Sequence, residues 1–166
     1  MEDKKIIYIG SVDEKIKELV GLLEEKLKEN EYIVYNDIEK ENIEHIVEQS
    51  NLIKPNIHLC IHSYESINRK EKNGPIIYTL NKSSLSEEIA NKIFTQLKLI
   101  YYEPTYNRDI VYTQNINELT NTRNPSLYIE LYGNDNEEDY RWYKNNTNKI
   151  ANSIFLGIDN YFKNRE

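Results

Sequence analysis

Short β-branched and aromatic runs alternate along this chain with longer stretches in which apolar residues recur every three or four positions. The first kind reads as buried strand and the second as amphipathic helix. Ile6-Ile7-Tyr8-Ile9 predicts a strand, Gly10-Ser11 a turn, and Ile16, Leu19, Val20, Leu23 and Leu27 one face of a helix from about Asp13 to Glu29. Tyr32-Ile33-Val34-Tyr35 predicts the second strand, Asn36-Asp37 a turn, and Ile43, Ile46, Val47 and Ser50 a second helix ending near Asn51. Lys54-Pro55 introduces a third strand over Ile57 to Ile61, and the polar stretch from Ser63 to Gly74 predicts the longest loop. Gly74-Pro75 announces the strand Ile76-Ile77-Tyr78-Thr79.

Ser83 or Ser84 can cap a helix whose stripe is Ile89, Ile93, Leu97 and Ile100, with Glu87 and Glu88 favouring its N-terminal dipole end and the helix stopping before Pro104. Ile110-Val111-Tyr112 predicts a weak strand, followed by an Asn/Thr-rich connection to Pro125 and a last strand, Leu127-Tyr128-Ile129. From Asn136 to Phe162 the pattern is helical, with Ile150, Ala151, Ile154, Phe155, Ile158, Tyr161 and Phe162 as its buried stripe. Strands alternating with helices through short connections predict an α/β layered fold. The expectation is one domain over residues 1–166: a mostly parallel or mixed sheet of about six strands flanked by helices, of phosphorylase/hydrolase-like type.

Composition narrows the function classes. A net charge of −7 and a pI near 5.1 oppose non-specific attraction to nucleic acid or anionic membrane, which needs a cationic face. No stretch reaches membrane-spanning length. The N-terminus lacks an apolar segment of signal-peptide length, so the expected location is cytoplasmic as written, or exported or in a spore compartment if a leader has been removed. The single cysteine, Cys60, can form no internal disulfide and reads as a small buried core residue.

Two apolar runs end in residues able to do chemistry: His62 after Ile61, and Glu130 after Ile129. In open α/β sheets the active cleft lies outside the carboxyl ends of the strands, so both point toward one cleft. The first strand ends in Gly10-Ser11 alone. His58 and His62 share one strand face by the two-residue alternation, with His58 read as half-buried and far from the strand end.

Ile43 to Asn51, running into Pro55-Asn56-Ile57-His58-Leu59-Cys60-Ile61-His62-Ser63, resembles a stretch of the zinc-dependent N-acetylmuramoyl-L-alanine amidases that reads alanine-asparagine and then a strand ending Ser-Ile-His. Leu119, Thr122, Pro125 and Leu127-Tyr128-Ile129-Glu130-Leu131 resemble the segment in which a proline precedes the strand carrying the catalytic glutamate. Asn107-Arg108 falls where that family has an Asn-Arg pair, and the likeness continues through Asn136 to Asp139 and Ile150 to Phe162. The resemblance implies that His62 is a zinc ligand and that Glu130 is the catalytic carboxylate activating a metal-bound water. It implies zinc as cofactor and the amide between muramic acid and L-alanine in peptidoglycan as substrate. On the substrate side it implicates Arg108, Tyr64 and Asn134 in binding.

The departures fall on the metal. The family's first strand runs into a Gly-His-Gly-Gly loop holding the first zinc ligand, followed by a glutamate ligand at the start of the first helix. Here Ser11 stands at the histidine position and the loop is missing; Glu14 or Asp13 reads either as a relic of that glutamate or, the favoured reading, as an N-terminal helix acid satisfying the dipole. Tyr64 replaces an asparagine after the histidine strand, and Tyr132-Gly133 replaces Gly-Phe. The leading expectation is a non-catalytic amidase-fold protein of cell-wall or spore metabolism, with zinc absent or weakly held, partnered by peptidoglycan or a cell-wall enzyme. An active zinc amidase is the second, its ligand set rearranged to Glu14 or Asp13, His62 and His45 or His58. The third is a protein-interaction scaffold using Tyr101, Tyr102, Tyr106, Tyr140, Tyr143 and Trp142 as exposed aromatics.

Overall fold

The computed structural model describes residues 3–38, 42–65, 73–82 and 84–164. Its elements run β1 (Ile6–Ser11), a 3-10 turn (Glu14–Ile16), α1 (Lys17–Glu29), β2 (Ile33–Ile38), α2 (Ile43–Ile53), β3 (Ile57–Tyr64) and β4 (Ile76–Thr79). There follow α3 (Leu85–Ile100), β5 (Val111–Tyr112), α4 (Asn117–Thr120), β6 (Ser126–Gly133) and α5 (Glu137–Lys163). The strands form one six-stranded sheet in the order β2-β1-β3-β6-β4-β5. All pairs are parallel except β4 with β6, so the sheet is mixed and the α/β expectation holds.

Pleat alternation divides the central strands between two cores. Ile7, Ile9, Ile57, Leu59, Ile61, Leu127, Ile129 and Leu131 enter the large core with the apolar stripes of α1, α3 and α5. On the opposite face α2 packs on β1, and α4 packs on β6 and α2. That second face carries Tyr64, Ile76, Tyr78 and Leu119 in a smaller apolar cluster. Gly10 lets α2 approach, since a Cβ there would stand 2.5 Å from Ile46 Cγ2.

Helix ends follow the sequence where caps are local. Ser84 caps α3 by accepting from the Glu87 amide, Asn42 caps α2 through the His45 amide, and Asn136 caps α5 through the Asp139 amide. Ser83, the alternative cap, lies outside the described residues, as does most of the polar stretch after Ser63.

Four sequence expectations are corrected, the first being Gly10-Ser11, which is not a turn but the end of β1, paired with Asp37 and Ile38 of β2. The third and last strands do not stop at Ile61 and Ile129 but continue to Tyr64 and Gly133. Asn36-Asp37 is not a turn: β2 runs to Ile38, and as an edge strand exposed along much of its length it tolerates polar residues. The Asn/Thr-rich connection contains α4, whose Glu118 and Leu119 are both buried.

Candidate functional site

The strand register sets His62 directly opposite Glu130, with Ile76 on the other side of that glutamate. The two candidate residues are therefore side by side in adjacent strands, not at two strand ends facing across a cleft. Both are buried, His62 two residues before the end of β3 and Glu130 three before the end of β6. Tyr128 stacks on the His62 ring at 4.7 Å between centroids.

His62 turns toward Glu118, a carboxylate that the sequence reading passed over. Glu118 Oε1 stands 3.8 Å from His62 Nε2, and Glu118 Oε2 stands 2.9 Å from His58 Nε2. The Cys60 thiol adjoins the same carboxylate, so the residues at alternate positions 58, 60 and 62 of β3 converge on one acid. Burial would raise the Glu118 carboxyl, but the His58 hydrogen bond, with His62 and Cys60, outweighs it and holds the group down at about 2. Burial and the Glu118 charge push the Cys60 thiol up, which keeps it protonated and poorly nucleophilic. His58 is fully buried rather than half-buried, stacked on Tyr8 at 5.1 Å and 2.7 Å from Ser50 Oγ through its Nδ1. Ser50, His58 and Glu118 thus line up as a hydroxyl, an imidazole and a carboxylate, but Ser50 is wholly enclosed and no substrate can reach it.

At the end of β1, Ser11 is fully buried; its hydroxyl donates to the Ile61 carbonyl at 2.7 Å and accepts from the Asp13 amide at 3.0 Å. Asp13 caps the 3-10 turn: its carboxylate accepts from the Lys15 amide at 3.0 Å and the Ser63 amide at 2.8 Å, and also from the Ser63 hydroxyl. Partial burial raises the Asp13 carboxyl, yet the Ser63 bonds prevail and keep it below the usual carboxylate range. Glu14, beside it, is exposed.

The remaining candidates are spread around this centre. Tyr64 is buried with its hydroxyl donating to the Gly74 carbonyl at 3.0 Å, and burial pushes its phenol upward. Arg108 is half-buried, its guanidinium 5.9 Å from the Tyr106 ring centroid. Asn134 is exposed, and its backbone amide donates to the Tyr64 carbonyl. His45 is partly exposed and pairs with Asp37 at 3.4 Å. The exposed aromatic set is corrected: Tyr101, Trp142 and Tyr143 are buried core residues and Tyr106 is half-buried against that core, whereas Tyr102 and Tyr140 are exposed. Tyr101 and Tyr102 both donate to the buried Asp139, at 2.6 and 3.0 Å, and the Trp142 indole donates to the Ile100 carbonyl.

Glu118 escaped the sequence reading because a four-residue helix carries no periodicity. A signal existed on β3 instead: two histidines on one face of an otherwise apolar buried strand require a polar partner from another element. Asn51 supplies the framework that brings it, donating to the Asn121 carbonyl at 3.0 Å and accepting from the Arg123 amide at 2.9 Å, so that the end of α2 holds the exit of α4.

Solved structures share this architecture. The catalytic domain of the CD27L endolysin targeting Clostridia difficile superposes with a TM-score of 0.79 at 18% identity, covering 95% of this chain and 98% of that one. The N-acetylmuramyl-L-alanine amidase Ami1 from Mycobacterium smegmatis gives 0.80 at 14% identity over 96% and 97% of the two chains. The CwlD amidase of Clostridioides difficile, solved in complex with the GerS lipoprotein, gives 0.72 at 20% identity over 97% and 99%. No curated protein matches the sequence. At these identities the structures establish the fold alone, whereas the sequence itself matches the N-acetylmuramoyl-L-alanine amidase family model over residues 12–160, which takes in β3, α4 and β6 with His62, Glu118 and Glu130. This chain belongs to the N-acetylmuramoyl-L-alanine amidase family.

Proposed function

We propose that this protein acts in cell-wall or spore metabolism as a binding member of the amidase family, engaging peptidoglycan or a cell-wall enzyme without hydrolysing the muramoyl–alanine amide. The observation that carries the reading is the closed end of β1. Ser11, at the position where the family resemblance implies a zinc-ligand histidine, is enclosed and spends its hydroxyl on Ile61 and Asp13. Asp13 spends its carboxylate on Lys15 and Ser63, and Glu14 is exposed. A catalytic zinc takes three protein ligands and keeps an open position for water. Of the family's implied set, this leaves His62 without companions from the first strand, so the residues present do not fit that zinc site. The family resemblance supports peptidoglycan as the ligand, and a relative solved with a lipoprotein supports a protein partner as the other candidate. Among the described residues no helix is long and apolar enough to cross a membrane.

The test incubates the protein, with zinc supplied, with purified peptidoglycan and measures released stem peptide beside co-sedimentation with the sacculus. The expected result is co-sedimentation without release. Release that is lost in Glu130→Ala would overturn the reading and establish an active amidase.

A further inference from the structure

The second face of the sheet carries a donor set that the family resemblance does not assign. His58, Cys60 and Glu118 offer ligand atoms that all lie within 4.8 Å of one another, and all three side chains are buried. The other Glu118 oxygen faces His62 Nε2 at 3.8 Å, beyond hydrogen-bonding range. Both of these atoms are buried and without a hydrogen-bond partner among the described residues. An orphaned imidazole nitrogen and an orphaned carboxylate oxygen aimed at each other are costly, at roughly 1–3 kcal/mol apiece. Their separation is one that two ligands of a single ion can span, since Zn–N and Zn–O distances are about 2.0–2.2 Å.

The chemistry of the donors selects the cation. A sulfur, imidazole nitrogens and a carboxylate suit a borderline-soft transition ion such as Zn2+, whereas Mg2+ and Ca2+ require oxygen sets. Ser50 lies 2.7 Å from His58 Nδ1, an outer partner that fixes the ring with Nε2 toward Glu118. Tyr8 stacks on His58 and Tyr128 on His62, and all four donor residues are buried from solvent. A closed site of this kind stabilises a fold and does not activate water.

We propose that His58, Cys60, His62 and Glu118 form a buried structural zinc site that bridges the central strand β3 to α4. It shares His62 with the zinc site implied by family resemblance, and since one imidazole nitrogen holds one ion, the proposal rests on the non-catalytic reading above. Binding displaces the Cys60 thiol proton to solvent and leaves a thiolate on the metal.

The protein is produced without an affinity tag in zinc-supplemented medium, purified without chelator, and assayed for metal by mass spectrometry. The expected content is about one zinc per chain, falling at least about tenfold in both Cys60→Ser and Glu118→Gln and unchanged in Glu14→Gln. Wild-type protein refolded with Co2+ should show an intense near-ultraviolet thiolate-to-cobalt band, which reads sulfur ligation directly even where a variant fails to fold. Metal-free wild type after refolding with zinc overturns the proposal. So does zinc that survives both substitutions, or bound Co2+ without the thiolate band. Stem-peptide release by the wild type would overturn the functional reading above and, by claiming His62 for a catalytic ion, this site with it, whereas metal-free wild type that co-sediments without release overturns this site alone.

Discussion

Ser11 Oγ and the Ile61 carbonyl oxygen lie 2.7 Å apart, a hydrogen bond that ties the end of β1 to β3 beyond the last paired residues of those strands, Gly10 and Cys60. The same hydroxyl accepts from the Asp13 amide, so one fully buried side chain organises both the strand end and the turn into α1. Ser11→Ala leaves that amide without its acceptor and should cost about 1–3 kcal/mol. Ser11→His must force an imidazole into an enclosed site and should cost at least as much through overpacking. Urea midpoints at constant slope would show both losses; an unchanged midpoint in Ser11→His would mean that the strand end opens readily.

The acid limb of stability should report Glu118. Its carboxyl has an ordinary value of 4.5 and is held at about 2 in the folded protein, because His58, His62 and Cys60 outweigh the burial that opposes ionisation. Above about pH 4.5 the group is ionised in both folded and unfolded chains, and its contribution is fully present. As pH falls from about 4.5 toward 2 the unfolded chain takes up the proton first, and up to about 3 kcal/mol is lost. In chelator-treated protein, Glu118→Gln should flatten this limb. An identical acid limb in the variant would assign the loss to other carboxylates.

The layered α/β order was legible because most elements carry a period of their own. Leu19, Val20, Leu23 and Leu27 on α1 and Ile7 and Ile9 on β1 lie where the pattern placed them. Lengths failed where a strand's polar residues face groups on another element. His62, Ser63 and Glu130 interrupt the apolar runs, and only the fold supplies Glu118 beneath His62, Asp13 beside Ser63 and β3 beside Glu130. The aromatic residues failed for the same reason. Tyr101 and Trp142 look like surface in a polar stretch, yet their polar ends reach Asp139 and the Ile100 carbonyl and their rings bury, 5.0 Å apart in an edge-on contact. Sequence proximity could identify His62 and Glu130 as candidates, but not their adjacency, which is a property of strand order.

Asp139 should behave as a structural anchor. It is fully buried in the first turn of α5 and accepts from Tyr101 at 2.6 Å, Tyr102 at 3.0 Å and the Gly74 amide at 2.7 Å. These three donors fasten the approach to β4 and the end of α3 to one carboxylate. Asp139→Asn retains the shape but loses the charge-assisted bonds and turns a donor toward donors, at an expected cost of about 2–4 kcal/mol. Faster exchange of the Gly74 amide should accompany the loss; unaltered exchange would separate the loop from the anchor.

Gly157 sets how closely α5 can lie on α3. A Cβ at this position would stand 2.5 Å from Ile93 Cα and 2.6 Å from Ile93 N, both backbone atoms that no rotamer change can move aside. Alanine is the better helix former by about 1 kcal/mol, so on an isolated helix Gly157→Ala would stabilise. In the folded protein the two helices must separate, and the packing of Ile93, Phe94, Ile154 and Ile158 loosens with them. The overpacking cost of about 1–3 kcal/mol therefore exceeds the propensity gain, and the variant should melt lower than the parent. Gly21, where a Cβ meets nothing within 4 Å, is the internal control: Gly21→Ala should gain up to about 1 kcal/mol from the same propensity term. Opposite signs for the two substitutions in one thermal series would locate the effect in the α3–α5 contact, whereas a stabilising Gly157→Ala would show that these helices slide apart at no cost.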